Sequence, residues 1–503
     1  RYIQKEINLD NFTILNYYEL KNQKALKLKE FVMQKKKNLS RRKFLGSCAA
    51  CAAGISTLSF LTKPTFNNDY KYFQNNDKKI RISLIFAHPS SKEPCWPNIG
   101  YDFEARKREL LKKFKEKFKE VEFLPVTARK DEDATKILQT DNQVDGYIVY
   151  LVGCLWGNVP EIIASSGKPT IFVDDLFAGT GKFLTGYSKV KRQGLKVIGI
   201  SSSKFEDVVK AVQCIVCIKK LSLSTMLVIG GKPDTVIEKN FGTKILGLEF
   251  AEINKEYKKV DPLKVKQIAE KWINEAEKIV EPSHQDIEKS SALYLAMCNL
   301  MKKYNARAIT INCLGGFYGG HLSAYPCLGF MQLDNDGLVG GCEADQKSTI
   351  TKLLMSYLTG RPGFISDPVI DTATNRIIYA HCVAPTKVFG PYGSSNPYHI
   401  RNHSEDRKGA CNRSLMPLNQ IVTTIKFDAE KKMVIMHQGK TVANIDEDKA
   451  CRNKLAVEVM GDIHKLLKFW DEWGWHRVTF FGEFKQQVYQ IATLLGFNVI
   501  EEA

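Results

Sequence analysis

Two acidic residues and one histidine, from three separate segments, have the residue types of a divalent-metal centre. Glu343 lies in "GGCEADQKS" and Asp367 in "GFISDP", on either side of an apolar helical pattern, and neither belongs to a charged surface run. The local pattern predicts that both acids are buried, and two neighbouring buried carboxylates repel each other unless a cation lies between them. Two carboxylates and one imidazole suit Mn²⁺ or Mg²⁺ better than Zn²⁺ or copper. We expect the imidazole at the end of a strand in a third segment, where His476 lies in "WDEWGWHRVTFFGEF".

Each of these side chains also has an ordinary structural interpretation. Glu343 could be an acid at a helix start, favoured by the helix dipole, and Asp367, which precedes Pro368, could be a turn residue. His476 could be a hydrogen-bonded histidine of the core. Asp345 either orients a metal ligand through a hydrogen bond or caps the helix that follows it. The three candidate ligands taken together favour the metal site.

The elements that must position these residues follow from the hydrophobic pattern. From residue 79 onward, apolar runs such as "IRISLIFA" and "VDGYIVYLVG" alternate with amphipathic helical stretches such as "FEARKRELLKKFKEKFK". This alternation is typical of a parallel sheet with helices on both faces. A second unit begins at "TMLVIGG", and the chain becomes β-rich after about Gly360. The sequence therefore predicts an α/β fold with two doubly wound parallel-sheet domains, residues 79–224 and 225–359, followed by a β-rich C-terminal domain, residues 360–503.

Two segments of the chain resemble the L-fucose isomerase family, which includes L-fucose and L-arabinose isomerases. One is the spacing from Glu343 to Asp367 with a helical pattern between them, and the other is the closing "WGWHRVTFFGEFKQQVYQIATLLGFNV". In that family two residues separate the Trp-Gly pair from the metal-binding histidine, whereas here Trp475 alone precedes His476. The resemblance implies that Glu343, Asp367 and His476 are the metal ligands and that two α/β domains precede a β-rich domain.

The resemblance also implies a reaction, the interconversion of an aldose and a ketose with Mn²⁺, or with Mg²⁺ or another divalent ion. The ion would stabilise an enediolate across the first two carbons of a free sugar, while Glu343 and Asp367 would move protons on the two sides of that bond. Active sites near subunit contacts in the family imply a homo-oligomer. Two other hypotheses stay open: a non-catalytic exported sugar-binding protein, and an epimerase or lyase that uses the same metal site.

Three further polar residues are candidates for binding the sugar. His381 lies in "YAHCVAP", and Arg401 and His403 lie in "YHIRNHSEDRKG". Isomerase-like relatives of the family carry similar His-Cys and Arg-x-His patterns, which implies that these three side chains contact the substrate. The alternative is that the two histidines are solvated loop residues.

Residues 33–62 resemble a twin-arginine export signal. Arg41 and Arg42 lie in "NLSRRKFLG", between a basic stretch and a weakly apolar run. The pattern predicts that the twin-arginine translocation machinery exports the protein, which is then periplasmic or membrane-anchored, or cytoplasmic if the leader does not function. Residues 1–32, upstream of Met33, are predicted to be an extension outside the natural start.

Charge and cysteine content narrow the remaining classes of function. The formal net charge is +18, of which +8 falls in residues 1–61, and no basic stripe is interleaved with aromatic residues. Nucleic-acid binding is therefore not predicted. Eleven of the thirteen cysteines are scattered after the leader, which is not typical of a disulfide framework. The Cys214-x-x-Cys217 pair has no second pair, so core packing is favoured over zinc binding.

Overall fold

A computed structural model describes residues 79–503. The predicted upstream extension, residues 1–32, and the predicted export signal, residues 33–62 with Arg41 and Arg42, lie outside the described residues. Among the helices of residues 79–503, none combines the length and the apolar character that crossing a bilayer requires.

A parallel sheet forms the first part of the described chain. Its strands and the helices between them are β1 (Ile80–Ala87), α1 (Phe103–Lys117), β2 (Val121–Ala128), α2 (Asp131–Leu138), β3 (Gly146–Leu151), α3 (Val159–Ala164), β4 (Thr170–Asp174), α4 (Thr180–Arg192), β5 (Val197–Ser201) and α5 (Phe205–Ser222). The five strands are all parallel, in the order β2-β1-β3-β4-β5. This order is doubly wound, with its switch point between β1 and β3. The buried faces of β3 and β4 explain their uninterrupted apolar sequences.

A second, mostly parallel sheet follows. Its region contains β6 (Thr225–Ile229), β7 (Thr235–Ile237), β8 (Lys244–Leu248), α6 (Phe250–Tyr257), α7 (Pro262–Glu275), β9 (Lys278–Ile279), α8 (His284–Lys303), β10 (Ala308–Ile311), α9 (Cys313–Tyr318), α10 (Cys327–Asn335), β11 (Val339–Gly341) and α11 (Gln346–Thr359). The strand order is β11-β10-β6-β8-β7, and β7 alone in this sheet runs antiparallel to its neighbour. The carboxyl ends of β10 and β11 therefore lie side by side at one edge of the sheet.

The C-terminal part is an antiparallel barrel. Its region contains β12 (Phe364–Asp371), β13 (Arg376–His381), β14 (Tyr398–Arg401), β15 (Cys411–Ser414), β16 (Ile421–Asp428), β17 (Met433–Asn444), β18 (Asn453–Val459), α12 (Ile463–Phe469), β19 (Arg477–Phe481), α13 (Lys485–Leu495) and β20 (Asn498–Glu501). The strands pair in the order β16-β19-β12-β13-β18-β17, and an additional pairing of β16 with β17 closes the barrel. Strand β20 adds in parallel to β17. A separate small sheet has the order β15-β14-β9.

Helix α11 leads from the second sheet into the barrel. It begins after Asp345, whose side chain accepts a hydrogen bond from the backbone N–H of Ser348, and it ends at Gly360, whose φ of 70° is left-handed. The helix is largely buried, and one apolar core contains its Leu354, Ile82 of the first sheet and Val478 of the barrel. The α/β character and the β-rich C-terminal part are confirmed, while the boundaries at residues 224 and 359 stay predictions.

Candidate metal centre

Glu343 lies in the short turn between β11 and α11. Glu343 and Ala344 both have left-handed backbones, with φ of 61° and 52°, a conformation that costs side-chain-bearing residues about 1–3 kcal/mol. The backbone N–H of Ala344 donates to the carbonyl oxygen of Ile311 at 2.9 Å, which ties the turn to the end of β10. The second sheet therefore holds Glu343 in a strained but fixed position.

The expectation that both acids are buried is wrong, because Glu343 is exposed and Asp367 is only partly buried. The side chain of Glu343 is 33% exposed and that of Asp367 is 25% exposed, although Cys342, next to Glu343, is buried. The apolar neighbours of Glu343 gave the appearance of a buried segment, but the residue lies in a turn at the carboxyl edge of the sheet, where loops meet solvent. A carboxylate in this position is accessible to a ligand.

His476 lies just before β19 and faces three carboxylates. Its Nδ1 lies 2.9 Å from Oδ2 of Asp345, and its Nε2 lies 3.2 Å from Oδ1 of Asp367 and 3.6 Å from Oε2 of Glu343. Asp345 thus makes the contacts that both interpretations require, because its other oxygen, Oδ1, caps α11 through Ser348, while its role at a metal ligand stays a prediction. The structure thus brings two of the predicted ligands to the third. Glu343, from a turn of the second sheet, and Asp367, from β12, both lie near the imidazole of His476.

His381 joins this group, although the sequence suggested only a contact with the sugar. It is the last residue of β13, and its Nε2 lies 3.5 Å from Oε1 of Glu343. The His381 and His476 ring centroids are 5.3 Å apart, and ligand atoms of Glu343, His381 and His476 all lie within 4.8 Å of one another. The register that pairs Asp367 with Ala380, the neighbour of His381, explains the proximity and cannot be read from sequence.

The charges at this centre are mutually dependent. Burial alone would lower the pKa of His476, but the hydrogen bond to Asp345 and the proximity of Asp367 raise it to about 9. Burial alone would raise the pKa of Asp367 and of Asp345, but the His476 imidazole holds both values below the usual range. The carboxyl groups of Asp345 and Asp367 are therefore ionised near neutral pH.

The residues present fit a divalent cation. Nε2 of His381 and Nε2 of His476 are buried, and neither makes a well-aligned hydrogen bond within residues 79–503. Buried nitrogens without a hydrogen bond are costly, and both point towards carboxylates at 3.2–3.6 Å. Carboxylate oxygens and imidazole nitrogens are ligands of Mn²⁺, and Asp345 on Nδ1 is the kind of partner that orients a metal-binding histidine.

Arg401 and His403 have other partners in the structure. The Arg401 guanidinium donates from Nε to Oε2 of Glu281 at 2.8 Å. His403 is buried, with Nδ1 at 3.2 Å from Oδ1 of Asp406 and its ring 5.5 Å from that of Phe317. These contacts do not place Arg401 or His403 next to the carboxylates of the candidate metal centre. They also do not test the prediction that the two residues bind a sugar.

Trp475 is a further candidate at this site that the sequence patterns did not indicate. Its side chain is 61% exposed, although it directly precedes His476, and it interacts with the Asp367 carboxylate. An exposed tryptophan beside the Asp367 carboxylate offers an apolar face against which a sugar can pack. The sequence clue to Trp475 is its position between Gly474 and His476, directly before the predicted metal ligand.

Comparison with known proteins finds similarity to sulfoquinovose isomerases over limited segments. No family model matches the chain. The sulfoquinovose isomerases of Priestia aryabhattai and Priestia megaterium are each 26% identical over 141 residues, which cover 26% of this chain and 30% of each relative. That of a Clostridium species is 32% identical over 92 residues, or 18% of this chain and 20% of the relative. The chain thus matches less than a third of the length of these relatives, which are sugar isomerases by name.

Proposed function

We propose that this protein is a metal-dependent isomerase that interconverts an aldose and a ketose at the centre formed by Glu343, Asp367 and His476. The observation that carries this proposal is the position of the His476 Nε2, 3.2 Å from Asp367 and 3.6 Å from Glu343. Similarity to sulfoquinovose isomerases supports the same reaction class. A sugar-binding protein would not require carboxylates from two separate segments aimed at one buried nitrogen.

The ligands proposed for a divalent ion, Mn²⁺ in the first instance, are Glu343, Asp367 and His476. When bound, the ion supplies Lewis-acid stabilisation of negative charge on the first two oxygens of the sugar. His476 is oriented for this role by Asp345, which holds its Nδ1 at 2.9 Å.

The net reaction moves one proton between two carbons and one between two oxygens. Going from aldose to ketose, C2 loses a proton and C1 gains one, while the oxygen on C2 loses a proton and the oxygen on C1 gains one. Glu343 is partly exposed and held in a turn between β11 and α11, so it is our candidate for moving the carbon-bound proton. Asp367 then assists transfer between the two oxygens, and Trp475 packs against the C–H groups of the open-chain sugar.

The decisive experiment is a substrate screen with metal removed and restored. Metal-stripped protein is incubated with free aldoses, including sulfoquinovose because of the named relatives, with and without Mn²⁺, and products are identified by NMR. We expect a ketose that appears with Mn²⁺ and not without it. A C2 epimer or a cleaved sugar would indicate an epimerase or a lyase, and binding of sugar without turnover would indicate a binding protein; each of these would overturn the proposal.

Asp345→Asn should weaken Mn²⁺ binding without unfolding the protein. Asp345 uses Oδ1 to cap α11 and Oδ2 to hold His476, and an asparagine has a single oxygen for both tasks. Loss of such a partner typically lowers metal affinity about 10–100-fold, whereas asparagine caps helices about as well as aspartate.

The measurement is Mn²⁺ titration followed by electron paramagnetic resonance, together with urea unfolding. The matched control is Asp261→Asn at the N-cap of α7, where the side chain accepts only from the backbone of Leu263. Equal Mn²⁺ affinity of Asp345→Asn and the native protein would contradict the role of Asp345.

Two further expectations stay predictions: a homo-oligomer and export by the twin-arginine route. The first can be measured by light scattering on the purified protein. The second can be measured by replacing Arg41 and Arg42 with lysine, which should retain the protein in the cytoplasm.

A further inference from the structure

Buried cysteines from separate segments converge behind His381. Sγ of Cys342, Sγ of Cys382 and a ring nitrogen of His381 all lie within 4.8 Å of one another, and all three residues are buried. Cys382 lies 3.5 Å from the Nδ1 of His381, the nitrogen opposite the one that faces Glu343. The imidazole of His381 therefore lies between the carboxylate centre and a group of thiols.

Further donors surround the Cys382 thiol. Cys327, at the start of α10, and Cys342, after β11, both interact with it. His403 also interacts with Cys382, and its Nδ1 is hydrogen-bonded to Asp406 at 3.2 Å. A carboxylate on the far nitrogen of an imidazole is the usual arrangement around a metal-binding histidine.

We propose that Cys342, Cys382 and the Nδ1 of His381 form a second metal site, for Zn²⁺, with Cys327 as the fourth ligand. Three sulfur ligands and one nitrogen form a closed structural zinc set, and this donor set is the opposite of the oxygen-rich one around Glu343. Tetrahedral ligands at about 2.0–2.3 Å from zinc lie roughly 3.3–3.8 Å apart. The ligand atoms of Cys342, Cys382 and His381 lie within 4.8 Å of one another, so they would move closer by about 1 Å on binding zinc.

Zinc binding here involves no oxidation or reduction. Each of the three cysteines that coordinate the ion loses its thiol proton to solvent, so three thiolates, a neutral imidazole and Zn²⁺ together carry a net charge of −1. The competing interpretation is that the thiols simply pack in the apolar core, to which Cys327, Cys342 and Cys382 belong. Packing alone does not explain why two imidazoles accompany the thiols.

Zinc bound to the Nδ1 of His381 would also fix the protonation of the Nε2 of the same imidazole. A neutral imidazole that is metal-bound at one nitrogen carries its proton on the other, so Nε2 would donate to Glu343, 3.5 Å away. His381 would then be a hydrogen-bond donor at the carboxylate centre, which leaves Glu343, Asp367 and His476 for the other ion. The zinc site itself does not depend on the proposed isomerase activity.

Cobalt substitution tests the site directly. The full chain is purified under reducing conditions, stripped of metal and titrated with Co²⁺, whose bonds to thiolates give an intense near-ultraviolet charge-transfer band. Oxygen and nitrogen ligands alone give no such band, so the signal reports the cysteine site and not the carboxylate centre. We expect the band at one Co²⁺ per chain, and we expect it to disappear when Zn²⁺ is added.

The variants separate this site from its neighbours. Cys342→Ser and Cys382→Ser should lose the band, whereas Glu343→Gln and the control Cys214→Ser, which changes a buried cysteine of α5, should retain it. Circular dichroism verifies that each variant is folded. Absence of the band from the folded native protein, or its persistence in a folded Cys342→Ser/Cys382→Ser double variant, would overturn the zinc site, whatever the isomerase assay gives.

Discussion

Glu343→Gln is expected to lower kcat for aldose–ketose interconversion by about 10²–10⁴-fold, the usual contribution of a positioned general base. The amide has nearly the shape of the carboxylate but accepts no proton near neutral pH. It also removes one charge from the proposed ligand set, so Mn²⁺ affinity should fall as well. Glu343 is 33% exposed and lies in a turn that the second sheet already holds, so the fold should be unaffected.

The measurement is initial rate at saturating Mn²⁺ and sugar, which separates lost chemistry from lost metal. Glu430→Gln is a suitable control, because its side chain is 84% exposed and its nearest cationic partner, Lys347, lies 3.7 Å away. Unchanged kcat in Glu343→Gln, with the control also unchanged, would remove Glu343 from the chemistry and with it the proposed reaction.

The sheets could be predicted from sequence because their physical cause is local. Strands such as β3 and β4 are buried on both faces, so they appear as continuous apolar runs between amphipathic helices. The closure of the barrel could not be predicted in the same way. It depends on the pairing of β16 with β17 and on a strand order that brings β19 beside both β16 and β12. No local pattern encodes that order.

The candidate site was predictable only in part, for the same reason. Glu343, Asp367 and His476 were identified by residue type, spacing and resemblance, and the structure brings both acids to His476. The part played by His381 depends on the register of β12 with β13. The cysteines behind it gave no sequence signal, because thiols distant along the chain become a group only after the second sheet and the barrel meet.

A buried ion pair fixes the segment that carries Glu343. Nζ of Lys352, in α11, donates to Oδ2 of Asp334 at 2.7 Å and to the carbonyl oxygen of Gly340 at 2.6 Å. Oδ1 of Asp334 accepts from the backbone N–H of Gly340 at 3.2 Å. These contacts join α10, β11 and α11, and the turn at Glu343 lies between the last two. The side chains of Lys352 and Asp334 are 4% and 1% exposed.

Lys352→Met is therefore expected to lower the free energy of unfolding by about 3–5 kcal/mol, because it leaves the Asp334 charge buried without its partner. The double variant Asp334→Leu/Lys352→Met should recover much of this loss, since it removes both charges and fills the same space with apolar side chains. Lys117→Met, in α1, is the control, because its side chain is 49% exposed and its partner Glu206, at 3.0 Å, is 57% exposed, so a change of about 0–1 kcal/mol is expected.

The loss should also depend on pH with a definite sign. Burial raises the pKa of Asp334 to about 6, although Lys352 acts to lower it. Because this folded-state pKa lies above the ordinary value of 3.8, the folded state binds the Asp334 proton more tightly than the unfolded state does. The contribution of Asp334 to the free energy of unfolding therefore falls as pH rises towards 6. When Asp334 is protonated, Lys352→Met leaves no unpaired charge in the core. Urea unfolding should show the deficit of Lys352→Met largest above pH 6 and smaller at pH 5; a deficit that grows on acidification would mean that Lys352 does not act through the Asp334 charge.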